Sequence, residues 1–267
     1  MDFLNVLLLL LAGGISGFLA GLFGIGGGII FVPILLFYFH SIEVSSLVAT
    51  HVALGTSLLV VVFASSASAY QHFKNGHVVW KGVLYLGVAS IVGALLGATV
   101  ASVLPGKTLQ RIFAFVVTIA ALRMLVEAHS SSGDPEPNLA PPGLSLAGFV
   151  AGLVSSLTGI GGGILLVPMM YYFLKFPLKK SLGTSSATIV ITATAGVVGY
   201  VIRGMDNTLL PPHTLGYVDY LNSIPLIIGT LLTARLGAMV AHKTNVNVLR
   251  KFFAVFLLVV ATKMFFF

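Results

Sequence analysis

The chain has 267 residues, of which 57% are hydrophobic and only 8% charged, and its mean hydropathy is +1.06; a soluble domain carries about 25% charged residues, so a soluble fold is excluded and a bilayer is the expected environment. There is no cysteine, which removes disulfides, thiolate nucleophiles, cysteine-ligated zinc and iron–sulfur clusters, and no cofactor is expected. The formal charge of +7 comes from 14 Lys and Arg scattered between apolar stretches; they do not form the basic face that nucleic acid requires.

In chain order, apolar stretches cover residues 3–23, 29–39, 45–70, 82–104 and 109–126, then 144–157, 164–176, 182–202, 221–241 and 249–267. Several reach the ~20 residues of a membrane-spanning helix. The first lacks the positive n-region and small-residue cleavage site of a signal peptide, and it reads as a first helix. Between the two sets lies "EAHSSSGDPEPNLAPPG", residues 127–143, a Pro, Ser and Gly-rich linker. It divides the chain into a first transmembrane repeat, 1–126, and a second, 144–267.

The halves match each other in sequence. "GLFGIGGGIIFVP" returns as "SLTGIGGGILLVP", with both the glycine runs and the closing prolines Pro33 and Pro168 separated by 135 residues; "LGATVA" returns as "LGAMVA", and "LQRIFAF" as "LRKFFAV". An odd number of segments per copy sets the copies upside down relative to each other, the inverted-repeat plan of many secondary transporters. Charge gives the same orientation. With the N-terminus outside, nine Lys and Arg fall on the inner side (Lys74, Lys81, Arg123, Lys175, Lys179, Lys180, Lys243, Arg250, Lys251) against four outside (Lys107, Arg111, Arg203, Lys263), as cytoplasmic loops require. The linker is then cytoplasmic. The expected fold is an all-α polytopic membrane protein of two inverted repeats, about five helical segments each, with short broken or re-entrant helices meeting near the midplane, in the plasma membrane of a bacterial or archaeal cell.

The glycine runs carry the functional signal. Gly24, Gly26, Gly27 and Gly28 form the first, Gly159, Gly161, Gly162 and Gly163 the second. The arms that follow, 29–39 and 164–176, span only about 17 Å and 20 Å as helix against a hydrocarbon core of roughly 30 Å. Each therefore ends near the middle, although 3–23 is long enough to cross outright and leaves the depth of the first run open. Non-helical backbone at that depth needs protein or a water-filled cavity around it, and a helix start facing a cavity binds anions. Packing is the competing role for glycine in membrane helices, and it is assigned to Gly13, Gly17, Gly21, Gly93 and Gly97. A phosphate-loop or dinucleotide motif is absent: no G-K-[ST] follows and no βαβ unit surrounds the runs.

The doubled "GIGGGIIFVP" and "GIGGGILLVP", each followed by a small-residue patch, resemble the TauE/SafE family of sulfite and organosulfonate exporters over nearly the whole chain. The resemblance implies a polytopic carrier of small sulfur-containing anions such as sulfite, sulfoacetate or related sulfonates. In the second half the patch is "GTSSAT", residues 183–188; in the first it is "ATHVA", with His51 where the family often has serine. Hydroxyls of Thr50, Thr184, Ser185 and Ser186 are candidate donors to sulfonate oxygens, or bond back to their own helix. Arg235, inside the ninth segment, either attracts the anion or has a structural, snorkelling role. Carboxylates sit only at segment edges (Glu43, Glu127, Asp206, Asp219), which leaves His51 and His72 as candidate carriers of a coupling proton, or as packing residues. Trp80, Tyr85, Tyr217 and Tyr220 read as interfacial anchors. No metalloprotease, nucleophile-elbow or paired-carboxylate motif is present, so the expectation is a secondary carrier working by alternating access, with a passive anion channel as the alternative and an enzyme disfavoured.

Overall fold

The computed structural model describes residues 3–23, 27–126, 137–241, 254–255 and 258–265. In chain order it consists of α1 (Phe3–Phe23), α2 (Gly28–Ser41), α3 (Ala49–Lys74), α4 (Trp80–Val103), α5 (Gly106–Val126), α6 (Pro141–Thr158), α7 (Gly163–Pro168), α8 (Leu178–Gly204), a hairpin of β1 (Thr214–Leu215) and β2 (Val218–Asp219), and α9 (Tyr220–Ala241). A π-helical turn, Met169–Phe173, extends α7, and 258–265 is helical again. Five of these helices are long and apolar enough to cross a membrane by length and composition. Large side chains such as Leu8, Leu11 and Ile15 of α1, Val88 and Val92 of α4 and Leu232 of α9 point outward and exposed, a surface for lipid rather than water. The chain is an all-α polytopic membrane protein, as its composition requires.

Two antiparallel helices, α3 and α8, form the centre. Leu58 lies against Gly196, Gly55 against Tyr200, and the Ser68 and Ser186 hydroxyls meet at 3.1 Å. Around this pair the same packing is made twice. In α1, a Cβ on Gly13 would strike the Leu226 backbone of α9 and one on Gly17 the backbone of Thr230; in α6, Gly148 meets Leu86 of α4 and Gly152 meets Ser90. The repeated sequences pair Gly13 with Gly148, Gly17 with Gly152, Leu86 with Leu226 and Ser90 with Thr230. Gly93 and Gly97 of α4 also sit against α6 backbone. Backbones this close gain dispersion and interhelical hydrogen bonds, here Thr230 Oγ1 to the Gly13 carbonyl at 3.2 Å and Thr233 Oγ1 to that of Gly14 at 2.6 Å.

The β-hairpin departs from the expected all-helical course, and its two-residue turn begins at Gly216 with φ 54°, the position that a Gly-X hairpin turn reserves for glycine. It folds inward: a Cβ on Gly55 of α3 would collide with the Tyr217 carbonyl. Tyr217 is consequently buried between the rings of His51 and Tyr200, at 5.1 Å and 6.4 Å. That corrects its assignment as an interfacial anchor, whereas Trp80 and Tyr220 are exposed.

Candidate functional site

The two glycine runs meet. Gly24 and Gly26 lie outside the described residues, but Gly28, the first residue of α2, packs so closely on Ile160 that a Cβ would collide with the Ile160 carbonyl. The Ile160 loop lies beside the centre of the fold: Gly159 touches Leu54 of α3, and a Cβ on Gly161 would come within 2.6 Å of Val61 and 3.1 Å of Ile189 of α8. Val61 is twelve residues into α3 and Ile189 eleven into α8, about 18 Å and 17 Å along helices of 26 and 27 residues. Both half-helices therefore begin at mid-depth, and α2 does so as surely as α7. Gly27 and Gly162, 135 residues apart, cap these starts in the same left-handed conformation, φ 79° and φ 83°, which side chains other than glycine rarely adopt.

A helix that ends inside a membrane leaves carbonyls without partners, and one that begins there leaves N–H groups. The two kinds of end are treated differently. At the end of α6, the Ser155 carbonyl accepts from the Gly159 N–H at 2.8 Å, the Ser156 carbonyl from Tyr200 Oη at 2.8 Å, and the Gly159 carbonyl from Ser57 Oγ at 2.8 Å. At the start of α7, Leu165 and Leu166 donate to the Gly162 carbonyl; at the start of α2, Ile30 and Phe31 donate to that of Gly27. The N–H groups of Gly28, Ile29, Gly163 and Ile164 have no hydrogen-bond acceptor among the described residues. The crossing thus carries spare donors on the positive ends of two helix dipoles.

Several buried hydroxyls around this region have no hydrogen-bond partner. Ser155 Oγ and Ser156 Oγ, in the last turn of α6, are buried and unbonded, as are Ser65 Oγ of α3 and Ser185 Oγ of α8. Ser65 lies one turn beyond Val61, between the glycine loop and the Ser68–Ser186 contact, and Ser185 lies one turn before Ile189, beside that contact. Ser186 also donates back to the Leu182 carbonyl at 2.8 Å, the helix-internal alternative, while Thr184 Oγ1 accepts the Val79 N–H at 3.0 Å. His72 Nδ1, near the Lys74 end, is buried and unbonded too.

Thr50 and His51 are not in this group. Thr50 Oγ1 accepts from Gln110 Nε2 of α5 at 2.9 Å, and His51 Nε2 lies 3.1 Å from the carbonyls of both Ala101 and Leu104 at the end of α4. Carbonyls only accept, so Nε2 carries the proton, and the ring ties α3 to carbonyls at the end of α4. Since Ser186 is level with Ser68, eighteen residues from Thr50, the patches are separated by about 27 Å along α3. One ligand cannot touch both. Arg235 is in α9, with its side chain outside the described residues. The residues that sequence reasoning passed over are Ser57, Ser65, Ser155, Ser156 and Tyr200, whose roles depend on partners far along the chain.

A second polar cluster, at the Thr50 end, was also passed over. Asp219 is not at a wet edge but 1% exposed. Asn222 donates to it through its backbone N–H, at 2.9 Å, and through Nδ2, at 2.6 Å; Tyr38 Oη of α2 donates to Asn222 Oδ1 at 2.9 Å, and the Asp219 N–H to Thr56 Oγ1 of α3 at 2.9 Å.

Known proteins agree with this architecture. Residues 9–264 match the model of a family described as sulfite exporter TauE/SafE. A probable membrane transporter protein of Haemophilus influenzae is 34% identical over 264 residues, covering 98% of this chain and 99% of its own. One of Methanocaldococcus jannaschii is 31% identical over 93% of this chain and 91% of its own, and one of Bacillus subtilis, YunE, is 28% identical over 90% of each. No solved structure matches the chain. With the match running from α1 to the last helix and through both glycine runs, this multi-pass membrane protein belongs to the TauE/SafE family and is a membrane transporter.

Proposed function

We propose that this chain is a secondary transporter that moves small sulfur-containing anions, sulfite, sulfoacetate or related organosulfonates, out of the cell by alternating access. The observation that carries the reading is the pair of helix starts at the glycine crossing, where α2 and α7 keep N–H groups with no acceptor among the described residues while three carbonyls at the end of α6 already have donors. Buried donors without acceptors cost free energy until something negative arrives, and a tetrahedral or pyramidal oxyanion offers several acceptor oxygens at once. The anion sits against Gly27, Gly28, Gly162 and Gly163, and the hydroxyls of Ser155, Ser65 and Ser185 line its route toward the Lys74 end. Residues 1–126 and 144–267 act as inverted repeats joined by a cytoplasmic linker at 127–143, and rocking of one against the other exposes the crossing to each side in turn. By the Lys and Arg distribution the Lys74 end is cytoplasmic, so cargo enters past Ser185.

The deciding experiment is a thermal-shift panel of sulfite, sulfoacetate, taurine, thiosulfate and sulfate on purified protein, followed by flux in proteoliposomes. Sulfite or a sulfonate is expected to raise the melting temperature in the wild type and not in Ser155→Ala/Ser185→Ala. Equal shifts in both proteins would remove the serines from the site, and no shift with any of the five would remove the substrate class.

A further inference from the structure

Asp219 stands apart from the acids at wet edges. Both of its oxygens are held by one residue, Asn222, and that amide in turn presents Oδ1 to Tyr38 of α2, the half-helix whose first turn is at the glycine crossing. A carboxylate at the end of β2, just before α9, is thus linked, through one amide of α9, to a substrate-bearing half-helix. The backbone part of this arrangement occurs twice. In the repeated sequences Asp219 corresponds to Val79; the N–H of Val79 donates to the Thr184 hydroxyl and that of Asp219 to the Thr56 hydroxyl. The carboxylate occurs once, so starting the helix does not demand it.

The groups around Asp219 include no fixed cation among the described residues. His213 approaches from the β1 side, and Tyr217 and Tyr220 flank it in the chain. His51 of α3 and Tyr200 of α8 reach it only through the Tyr217 ring, Tyr38 of α2 through Asn222, and the described part of α1 has no titratable side chain. Asp219 precedes α9 and lies outside the spanning helices. Burial pushes its carboxyl above the ordinary carboxylate range, against the pull of the Asn222 hydrogen bonds.

We propose that Asp219 is the proton-binding site that couples transport to a proton gradient, an inference that rests on the transporter reading above. As a carboxylate it accepts from the Asn222 amide, which leaves Oδ1 for Tyr38 and ties α2 to α9. On taking up one proton it becomes an O–H donor; the amide turns to offer Oδ1 to that donor and its N–H to the Tyr38 hydroxyl, which changes from donor to acceptor, so the link between α2 and α9 is rearranged by the proton. Release of the same proton restores the first arrangement. No bond other than the O–H forms or breaks.

The test compares wild type with Asp219→Asn in proteoliposomes loaded with sulfite. Asparagine caps a helix start as well as aspartate does, so α9 keeps its first turn. Sulfite accumulation driven by an imposed pH gradient is expected to fall by about tenfold or more, within the usual range of coupling between sites, while sulfite counterflow without a gradient persists. Wild-type gradient-driven accumulation in Asp219→Asn overturns the proposal. If that variant does not fold, Tyr38→Phe, which keeps the carboxylate and removes the tie, is expected to lose gradient-driven accumulation in the same way, and its retention is equally fatal. An infrared titration separates this inference from the substrate reading. A protonated-carboxyl band that appears on acidification of wild type, and is missing from Asp219→Asn, supports the site even if sulfite proves not to be the cargo; its absence from wild type over the whole range overturns it.

Discussion

The two ends of the α3–α8 pair contain similar side chains and use them in opposite ways. At the Thr50 end the polar groups are tied to one another: Thr50 to Gln110, His51 Nε2 to two carbonyls of α4, Tyr38 to Asn222 and Asn222 to Asp219, with His51 Nδ1 the exception. Toward the Lys74 end, Ser65 Oγ, Ser185 Oγ and His72 Nδ1 are buried with no partner, and Ser155 Oγ and Ser156 Oγ join them at the crossing. An unmade buried hydrogen bond costs more than a made one gains. A run of them along one route is therefore tolerable in a protein that spends part of its cycle with water or ligand there. On the function proposed above, the tied end is a closed gate and the untied end a path.

That contrast breaks first at His51. Removing its ring by His51→Ala opens a cavity beside Tyr217 and takes a donor from the carbonyls of Leu104 and Ala101, the second of which keeps the Leu104 N–H; the expected loss is about 2–4 kcal/mol, read as a fall in melting temperature of the solubilised protein. A change near zero would mean that the Thr50 end is not held by this network. Next is Tyr200→Phe, which deletes only the hydroxyl that satisfies the Ser156 carbonyl. Its expected cost is about 1–2 kcal/mol, the upper part of the scale for interhelical hydrogen bonds in membranes. Ser57→Ala, which frees the Gly159 carbonyl, follows at about 1 kcal/mol. A larger effect from Ser57 than from His51 would reverse the assignment of gate and path.

How much of this was legible in the sequence depended on whether the signal was local. Helix bounds were legible in places: the apolar stretch 3–23 is α1 to the residue and 221–241 differs from α9 by one, whereas 45–70 misses α3 by four residues at each end. The glycine contacts were also legible, since Gly13, Gly17, Gly93 and Gly97 all pack backbone to backbone and small residues at that spacing have few other uses in a membrane. Gly27 and Gly162 announced a break because glycine is costly inside a helix. The hairpin left a clue in Gly216 that the surrounding hydropathy concealed. What could not be read was pairing across the fold. Ser57 and Ser186 look alike in a sequence, yet one caps a helix 102 residues away and the other donates to its own helix. Asp219 sits where a wet interface was expected, and only the inward fold of the hairpin buries it.

The smallest expected effect on stability is the most informative. In Ser185→Ala the lost hydroxyl had no hydrogen-bond partner, so there is no bond to forfeit and one desolvated polar atom fewer to bury; melting should stay within about 0.5 kcal/mol of wild type or rise. Sulfite binding should nevertheless weaken, by a factor comparable to one neutral hydrogen bond, about three- to tenfold. Stability and affinity thus separate at this residue, whereas at His51 they fall together because the folded gate itself is damaged. If Ser185→Ala instead destabilised the protein as Tyr200→Phe does, its hydroxyl would have a structural partner in the resting protein. The distinction between a tied end and an open one would then fail at the residue that defines it.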